Sequence, residues 1–473
     1  MRSSYEKIGL IGSGVLIGVL VSFNFSALAD KAMTPQLPLD DLRVFAEVFS
    51  KVKTDYVEPV EDKKLINEAL TGMLAGLDPH STFMDADGYK DLQQGTQGEF
   101  GGLGIEVAME DGLVKVVTPI EDSPAYKAGL KSGDLISKLD DTQVRGISLN
   151  DAVKKMRGKP DTPIVLTVLR KGEAKPLVFT LNRAVIKSQS VKNKYIEPGY
   201  AYVRISQFQE HTGEDLAKAL KTLHDQNKGP FKGLVLDLRN NPGGLLDSAV
   251  GVSAAFLPKD DLVVYTEGRA PDSKMHLNAT VLDYARRGKG DYLKDVPDDY
   301  KKTPMVVLVN AGSASASEIV AGALQDHKRA TILGIQSFGK GSVQTILPMN
   351  NGSAIKLTTA RYFTPNGRSI QAKGIVPDVI VDDGFDQSNN IHEADLAKHL
   401  SNPKDADANE PIVRDAAKAE AIQKANEKKF AEMKGPIEPA SKDDIQFVQA
   451  MNVLKGLPVQ KSTDVKIEVK NPS

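Results

Sequence analysis

The sequence predicts an α/β multidomain chain with a β-rich unit inserted ahead of the main core and helical segments at both ends. Three observations carry that reading. From about residue 199, short apolar runs alternate with amphipathic helical stretches, the pattern of a buried sheet covered by helices. Between 98 and 185, glycines cluster and strand-like runs follow one another around a single helix. The chain has 473 residues, room for about three domains at roughly 150 residues each.

Composition narrows the function before any motif is read. Apolar residues make up 41% and charged residues 26%, enough for genuine cores. Lys and Arg number 60 against 62 Asp and Glu, so the formal net charge is −2. Without a basic field, nucleic acid is not expected as a partner. There is no cysteine, which excludes thiolate metal sites, iron–sulfur clusters, a cysteine nucleophile and disulfides.

Residues 1–29 read as a secretory signal. Arg2 and Lys7 precede Ile8 to Val21, a run of apolar residues, Gly and one Ser, and Ala27-Leu28-Ala29 offers a small-x-small cleavage site. The rival is a retained anchor reaching Leu28. Either places the rest of the chain outside the cytoplasm: periplasmic, soluble or associated with the inner membrane. Two amphipathic stretches follow, Leu39 to Tyr56 and Lys64 to about Leu77, and Asp78-Pro79-His80-Ser81 breaks the second.

In the β-rich segment the strand-like runs are Leu103–Ala108, Leu113–Val117, Leu135–Leu139, Ile164–Arg170 and Leu177–Leu181, with a helix at Leu149–Met156. The string from Ser123-Pro124-Ala125 through Gly129-Leu130 to Gly133-Asp134-Leu135-Ile136 resembles a PDZ domain. Gly102-Leu103-Gly104-Ile105 resembles its carboxylate-binding loop. Glycines allow a turn whose N–H groups converge on an anion, and the strand edge beyond accepts an extended peptide.

Farther on, strands are expected at Tyr200–Phe208, Gly233–Leu238 and Met305–Val309, and helices at Thr212–His224, Leu245–Phe256 and Ala316–Leu324. Residues 268–302 lack periodicity and read as an excursion or flexible loop. Residues 401–444 read as a solvated helix or linker, Ile445 to Leu457 as a docking helix, and the last dozen residues as frayed. The domains are therefore 1–29 signal peptide, 30–97 N-terminal helical region, 98–185 PDZ domain, 186–384 core and 385–473 C-terminal helical or partly flexible region.

Chemistry concentrates in two segments. Val309-Asn310-Ala311-Gly312-Ser313-Ala314-Ser315-Ala316-Ser317-Glu318 ends a strand and opens a helix. A hydroxyl there meets unpaired N–H groups and the positive end of the helix dipole. Helix capping needs one serine and does not explain three at alternate positions. The second segment is Ser337-Phe338-Gly339-Lys340-Gly341-Ser342-Val343-Gln344. It has partial P-loop spacing, but Gly341 replaces the Ser or Thr and a strand-like run follows, so nucleotide binding is not expected. A lysine between two glycines beside Phe338 suits an amine partly withdrawn from water, whose depressed pKa lets it accept a serine proton. Gln344 lies four residues on and can orient that amine without supplying a countercharge.

Together these residues resemble the carboxyl-terminal processing (tail-specific) proteases, a serine–lysine family. The resemblance covers Leu77 to Ser81, the PDZ segment and 199–381. It implies a crotonase-like α/β serine protease core with Ser315 as nucleophile, Lys340 as general base and Gln344 positioning it. The N–H of Ala316 would be one oxyanion donor, and that of Gly243 or Gly244, in the Asn240-Asn241-Pro242-Gly243-Gly244 turn, the second. It further implies an exported endopeptidase that binds protein C-termini through Gly102 to Ile105 and acts on cell-envelope proteins. Oligomerisation through terminal helices and an adaptor protein in some relatives also follow from it, with no cofactor or metal.

Competing constellations are weaker. The seven histidines are scattered, no Gly-x-Ser-x-Gly elbow surrounds Ser315, and His392-Glu393 lacks the second His of a zinc site. His327 is expected at the surface, and Asp237 as a structural acid in a buried strand. An inactive PDZ-type scaffold or chaperone is the main alternative; a crotonase-like acyl-CoA enzyme is disfavoured by the export signal and the PDZ segment.

Overall fold

The structure, a computed structural model, describes residues 37–120, 122–285, 290–383, 390–404 and 437–461. The signal-like segment, most of 401–444 and the last dozen residues lie outside these. The described residues form two units, one ending at Ala69 and one beginning at Leu70.

In the first unit, α1 (Leu39–Asp55) starts with Asp40 and Asp41 in its first turn, where carboxylates meet the positive end of the helix dipole. None of its residues is buried, and Leu39, Leu42, Phe45 and Val48 stay exposed along one side. Helix α2 (Asp62–Ala75) follows, with Leu74 as its buried residue.

The second unit begins with β1 (Thr82–Met84) and α3 (Ala86–Gln97), neither of which the periodicity predicts. Asp85 caps α3 by accepting from the Gly88 N–H, and Gly98 ends it with φ +74°, a left-handed value that suits glycine.

The β-rich segment follows. β2 (Glu99–Gly102) pairs with β9 (Ala184–Lys187) and closes its two ends together. Between them β3 (Ile105–Glu110), β4 (Leu113–Pro119), β5 (Leu135–Leu139), β6 (Thr142–Gln143), β7 (Pro163–Leu169) and β8 (Leu177–Asn182) form an antiparallel sheet in the order β3-β4-β5-β7-β8, with β6 on β5. Short α4 (Pro124–Lys127) and α5 (Leu149–Met156) join it. Val114, Val116, Ile136, Leu166 and Val168 alternate inward and meet Ala152 and Met156 of α5 in one core. The expected runs here are present to within two or three residues.

The main core is a six-stranded sheet in the order β10 (Val191–Glu197), β11 (Tyr200–Ile205), β12 (Gly233–Asp237), β15 (Met305–Val309), β16 (Thr331–Gly334) and β19 (Val379–Ile380). All neighbours from β11 onward are parallel. Every residue of β12 and β15 is buried, because both faces are covered. Helices α6 (Thr212–Asn227), α7 (Leu246–Ala254) and α9 (Ala316–Asp326) pack on one face. Helix α10 (Ile445–Lys455) covers the other with Phe447, Ala450 and Met451 against Tyr202, Val235, Val306 and Leu308, as a docking helix should. A second sheet joins β1, β18 (Ala354–Phe363), β13 (Leu262–Gly268) and β14 (His276–Asn278), with β17 (Ser342–Pro348) on β18. β1 therefore belongs to this sheet although the β-rich segment intervenes in the chain.

Residues 268–302 depart from the loop expectation. They carry β14, the short helix α8 (Val281–Tyr284) and two buried tyrosines. Tyr300 donates to Leu220 O at 2.7 Å and stacks on Phe231. Isolated aromatic anchors hold this segment, and they leave no periodic trace.

Candidate active site

Three adjacent parallel strands end at the same edge of the sheet, where the crevice of an open α/β sheet lies. β12 leads into Asn240–Gly244, β15 into the serine turn and β16 into the loop bearing Lys340. Neighbouring strand ends thus bring together segments about 25 to 70 residues apart in the chain.

The serine turn is pinned by its outer serines. Ser313 Oγ donates to Leu238 O at 2.8 Å and Ser317 Oγ to Asn241 O at 2.9 Å, and both side chains are fully buried. Ala314 N–H donates to Asn241 O at 3.0 Å. Ser315 is half-buried and opens α9 with φ +53° and ψ −110°. A non-glycine residue in that region stores about 1–3 kcal/mol of strain, held here by the anchored flanks. The three alternate serines thus divide into two clamps and one hydroxyl at the mouth of the helix.

Gly243 lets the two turns touch, and Gly244 lets its turn meet the backbone of Phe208. A Cβ on Gly243 would lie 2.8 Å from Ser315 Cβ and 2.9 Å from Ala316 N, and one on Gly244 would lie 2.0 Å from Phe208 O. The Gly243 N–H donates to Asn241 Oδ1 at 2.9 Å.

Lys340 is half-buried. Its Nζ donates to Ser342 O at 2.8 Å and to Gln344 Oε1 at 2.6 Å. Burial and the neighbouring Lys356 ammonium push it down to about 8, against the opposing pull of Glu393, Glu318 and Asp78. Gln344 lies beside a bulge in β17, and its Nε2 donates to Ser342 Oγ at 3.0 Å and Thr358 Oγ1 at 3.1 Å.

Glu318, which sequence reasoning quoted but gave no role, links the two segments. Its fully buried carboxyl accepts from Ser315 N at 2.8 Å, Lys340 N at 3.0 Å, Gly339 N at 2.7 Å and Ser337 Oγ at 2.5 Å. Burial pushes it up to about 7 in spite of these donors. A Glu three residues after the helix-opening Ser is the capping-box spacing, a local signal that could have pointed to it. Tyr362, also buried, donates to Lys340 O.

Asp237 is structural, as expected. Burial opposes its ionisation, and the Arg239 guanidinium overcomes this and holds the carboxyl below its usual range. Arg239 bonds both Asp237 and Asp444, the N-cap of α10, at 2.7 Å. His327 is half-buried rather than at the surface, its Nε2 at 2.7 Å from Leu262 O. Among the described residues no cluster of three His, Asp or Glu is arranged to hold a metal.

In the β-rich segment, Gly102, Leu103, Gly104 and Ile105 line a groove of about 80 Å³ with Val107, Phe100 and, from α5, Val153 and Met156. Gly104 has φ +73°, and a Cβ there would lie 2.2 Å from Ser123 Cβ.

The family model for peptidase family S41 matches residues 199–381, the PDZ domain model 101–181, and the model of the activating protease CtpB N-terminal domain 22–88. A carboxy-terminal-processing protease of Bartonella bacilliformis is 44% identical over 451 residues, covering 93% of this chain and 94% of its own. The chain belongs to the S41 family of carboxy-terminal processing proteases. The carboxy-terminal processing protease CtpB of Bacillus subtilis is 36% identical over 379 residues, 78% of this chain and 75% of that one. Among solved structures, the photosystem II D1 C-terminal processing protease is 32% identical, covers 72% of this chain and 86% of its own, and superposes with a TM-score of 0.40. This S41 member is thus a serine-type carboxy-terminal processing peptidase with a PDZ domain, and a PDZ domain points to peptide C-termini as ligands. No helix among the described residues is long and apolar enough to cross a membrane.

Proposed function

We propose that this S41 protease cleaves protein tails through a Ser315–Lys340 pair oriented by Gln344. The observation that carries the reading is the Lys340 amine, held by two acceptors and pushed down to about 8 beside the helix that Ser315 opens. A neutral amine has two N–H bonds and one lone pair. Ser342 O and Gln344 Oε1 take the two N–H bonds, so the lone pair points away from both and is free to accept the proton of Ser315.

The steps then follow. Lys340 Nζ takes the Ser315 Oγ proton as Oγ attacks the scissile carbonyl carbon. The oxyanion is received by the Ala316 N–H and by a glycine of the facing turn. Asn241 already occupies the Gly243 N–H, which favours Gly244 as the second donor. Collapse breaks the C–N bond, and the Lys340 ammonium returns its proton to the leaving amine. Water, deprotonated by the same amine, hydrolyses the acyl-enzyme and restores Ser315.

The groove lined by Gly102, Leu103, Gly104 and Ile105 would hold the substrate's terminal carboxylate. The signal-like residues 1–29 support export and cell-envelope substrates in the periplasm. The apolar residues exposed along α1 support homo-oligomerisation through the terminal helices, and the family resemblance admits an adaptor.

The test is turnover of an unstructured protein with a free C-terminus by the full chain. Ser315→Ala and Lys340→Ala should each abolish cleavage while leaving the fold intact by circular dichroism. Equal cleavage by wild type and Ser315→Ala overturns the assignment, and loss with His327→Ala beside an active Lys340→Ala would move the base to histidine.

A further inference from the structure

A buried carboxylate that these steps do not use approaches the same side chains from a distant part of the chain. Asp78 is 4% exposed. Its Oδ2 accepts from Ser81 Oγ at 2.7 Å. Its Oδ1 accepts from the N–H groups of His80 and Ser81 at 2.8 and 2.9 Å and from Thr358 Oγ1 at 3.0 Å. Thr358 Oγ1 in turn accepts from Gln344 Nε2. A hydrogen-bonded path therefore runs from Asp78 through Thr358 and Gln344 to the Lys340 amine, across 280 residues of sequence between Asp78 and Thr358.

The polarity of this path is forced. An ionised carboxylate only accepts, so the Thr358 hydroxyl must give its proton to Asp78 and turn a lone pair to the Gln344 amide. With one Nε2–H on Thr358 and the other on Ser342 Oγ, only the amide oxygen is left to face Lys340. In the reversed amide, Nε2 would donate into the amine's lone pair, which is the one place the Ser315 proton can go.

We infer that Asp78 is a positioning residue of the active site: acting through Thr358, it fixes the Gln344 amide with its oxygen toward Lys340 and so keeps the amine's lone pair open to Ser315. This rests on the Ser315–Lys340 reading above. The charges facing Lys340 are Lys356 on β18, which opposes its protonation, and Glu393, Glu318 and Asp78, which favour it. Glu393 is itself held by His80 Nε2 at 2.8 Å and Gln371 Nε2 at 3.0 Å, and Tyr362 lies against the Lys340 carbonyl. The short segment 78–81 thus addresses the amine by orientation and by charge.

The experiment compares Asp78→Asn, Thr358→Val and Thr358→Ser in the full chain, measuring kcat, KM and the pH profile on one peptide substrate. Asp78→Asn keeps an acceptor oxygen on the N–H groups of His80 and Ser81, and so on Thr358, but removes the charge and turns its amide nitrogen to Ser81 Oγ; Thr358→Val deletes the link while keeping a β-branched residue in β18. Thr358→Val should lower kcat about 10–100-fold, as loss of an orienting partner commonly does, with KM little changed. Thr358→Ser restores the hydroxyl and should recover most of kcat. In Asp78→Asn the acid limb of the profile should also move to lower pH, because a charge favouring the ammonium is gone.

Wild-type kcat in Thr358→Val, or a loss in Thr358→Ser as deep as in Thr358→Val, overturns the inference. So does an acid limb in Asp78→Asn that stays put or moves up. If Asp78→Asn does not fold, the Thr358 pair decides alone. Failure of the underlying reading would show separately, as turnover surviving Ser315→Ala or Lys340→Ala.

Discussion

Lys340 can take a proton from Ser315 only while neutral, so turnover at subsaturating substrate should track its free-base fraction. An ordinary lysine, at 10.5, would be ~0.03% neutral at pH 7; one pushed down to about 8 is ~10% neutral, a gain of ~300-fold in usable base. The acid limb of kcat/KM should therefore have its midpoint near pH 8. It should steepen below about 7, where Glu318 protonates and loses acceptor capacity for the N–H groups of Ser315, Gly339 and Lys340. The perturbation is Lys356→Gln. Lys356 is the charge that lowers Lys340, second only to burial, so its removal must raise the base and move the limb to higher pH. The assay is initial rates on a fluorogenic peptide from pH 5.5 to 10 in buffers of constant ionic strength. A wild-type midpoint near 6.5, the range of an unperturbed histidine, would refute the lysine base, and a Lys356→Gln limb moving down would refute the electrostatic account.

Three further outcomes follow from the site. Glu318→Gln turns one of two accepting oxygens into a donor facing donors, at about 1.5–3 kcal/mol per charge-assisted bond lost; kcat at pH 8.5 should fall at least about 100-fold. Gly243→Ala puts a Cβ 2.8 Å from Ser315 Cβ at φ +99° and should cut kcat about 10²–10³-fold, whereas Gly244→Ala, 2.0 Å from Phe208 O, should show the larger drop in melting temperature. Asp444→Ala leaves the Arg239 guanidinium with Asp237 as its one carboxylate, beside the Gln446 amide oxygen, and should cost about 3–5 kcal/mol, read as an earlier urea midpoint of the unit that begins at Leu70.

Much of the fold was legible because its signals are local. Met305–Val309 reads as a buried strand from five consecutive apolar residues, and the helix from Ala316 reads from the serine turn before it. Ser315, Lys340 and Gln344 stand out in the sequence for the same reason: hydroxyl, amine and amide each sit in a short segment whose composition is odd for a purely structural role. Residues 268–302 misled, since Tyr284 and Tyr300 bury themselves without any period. The part played by Asp78 was invisible because a Pro-containing break in a helix is explained well enough by the break itself.

The sequence by itself determined the inventory: no thiol chemistry, a near-neutral charge, a glycine-rich peptide-binding segment and a serine and lysine 25 residues apart in an α/β core. Tertiary structure alone decided which groups those two residues meet. Adjacent parallel strands ending at one edge set Gly243 against Ser315 and folded Glu318 under the Lys340 loop, and the antiparallel pairing of β1 with β18 brought Thr358 to Asp78. Periodicity reports which face of an element is buried, whereas hydrogen-bond polarity and pKa depend on neighbours supplied from hundreds of residues away.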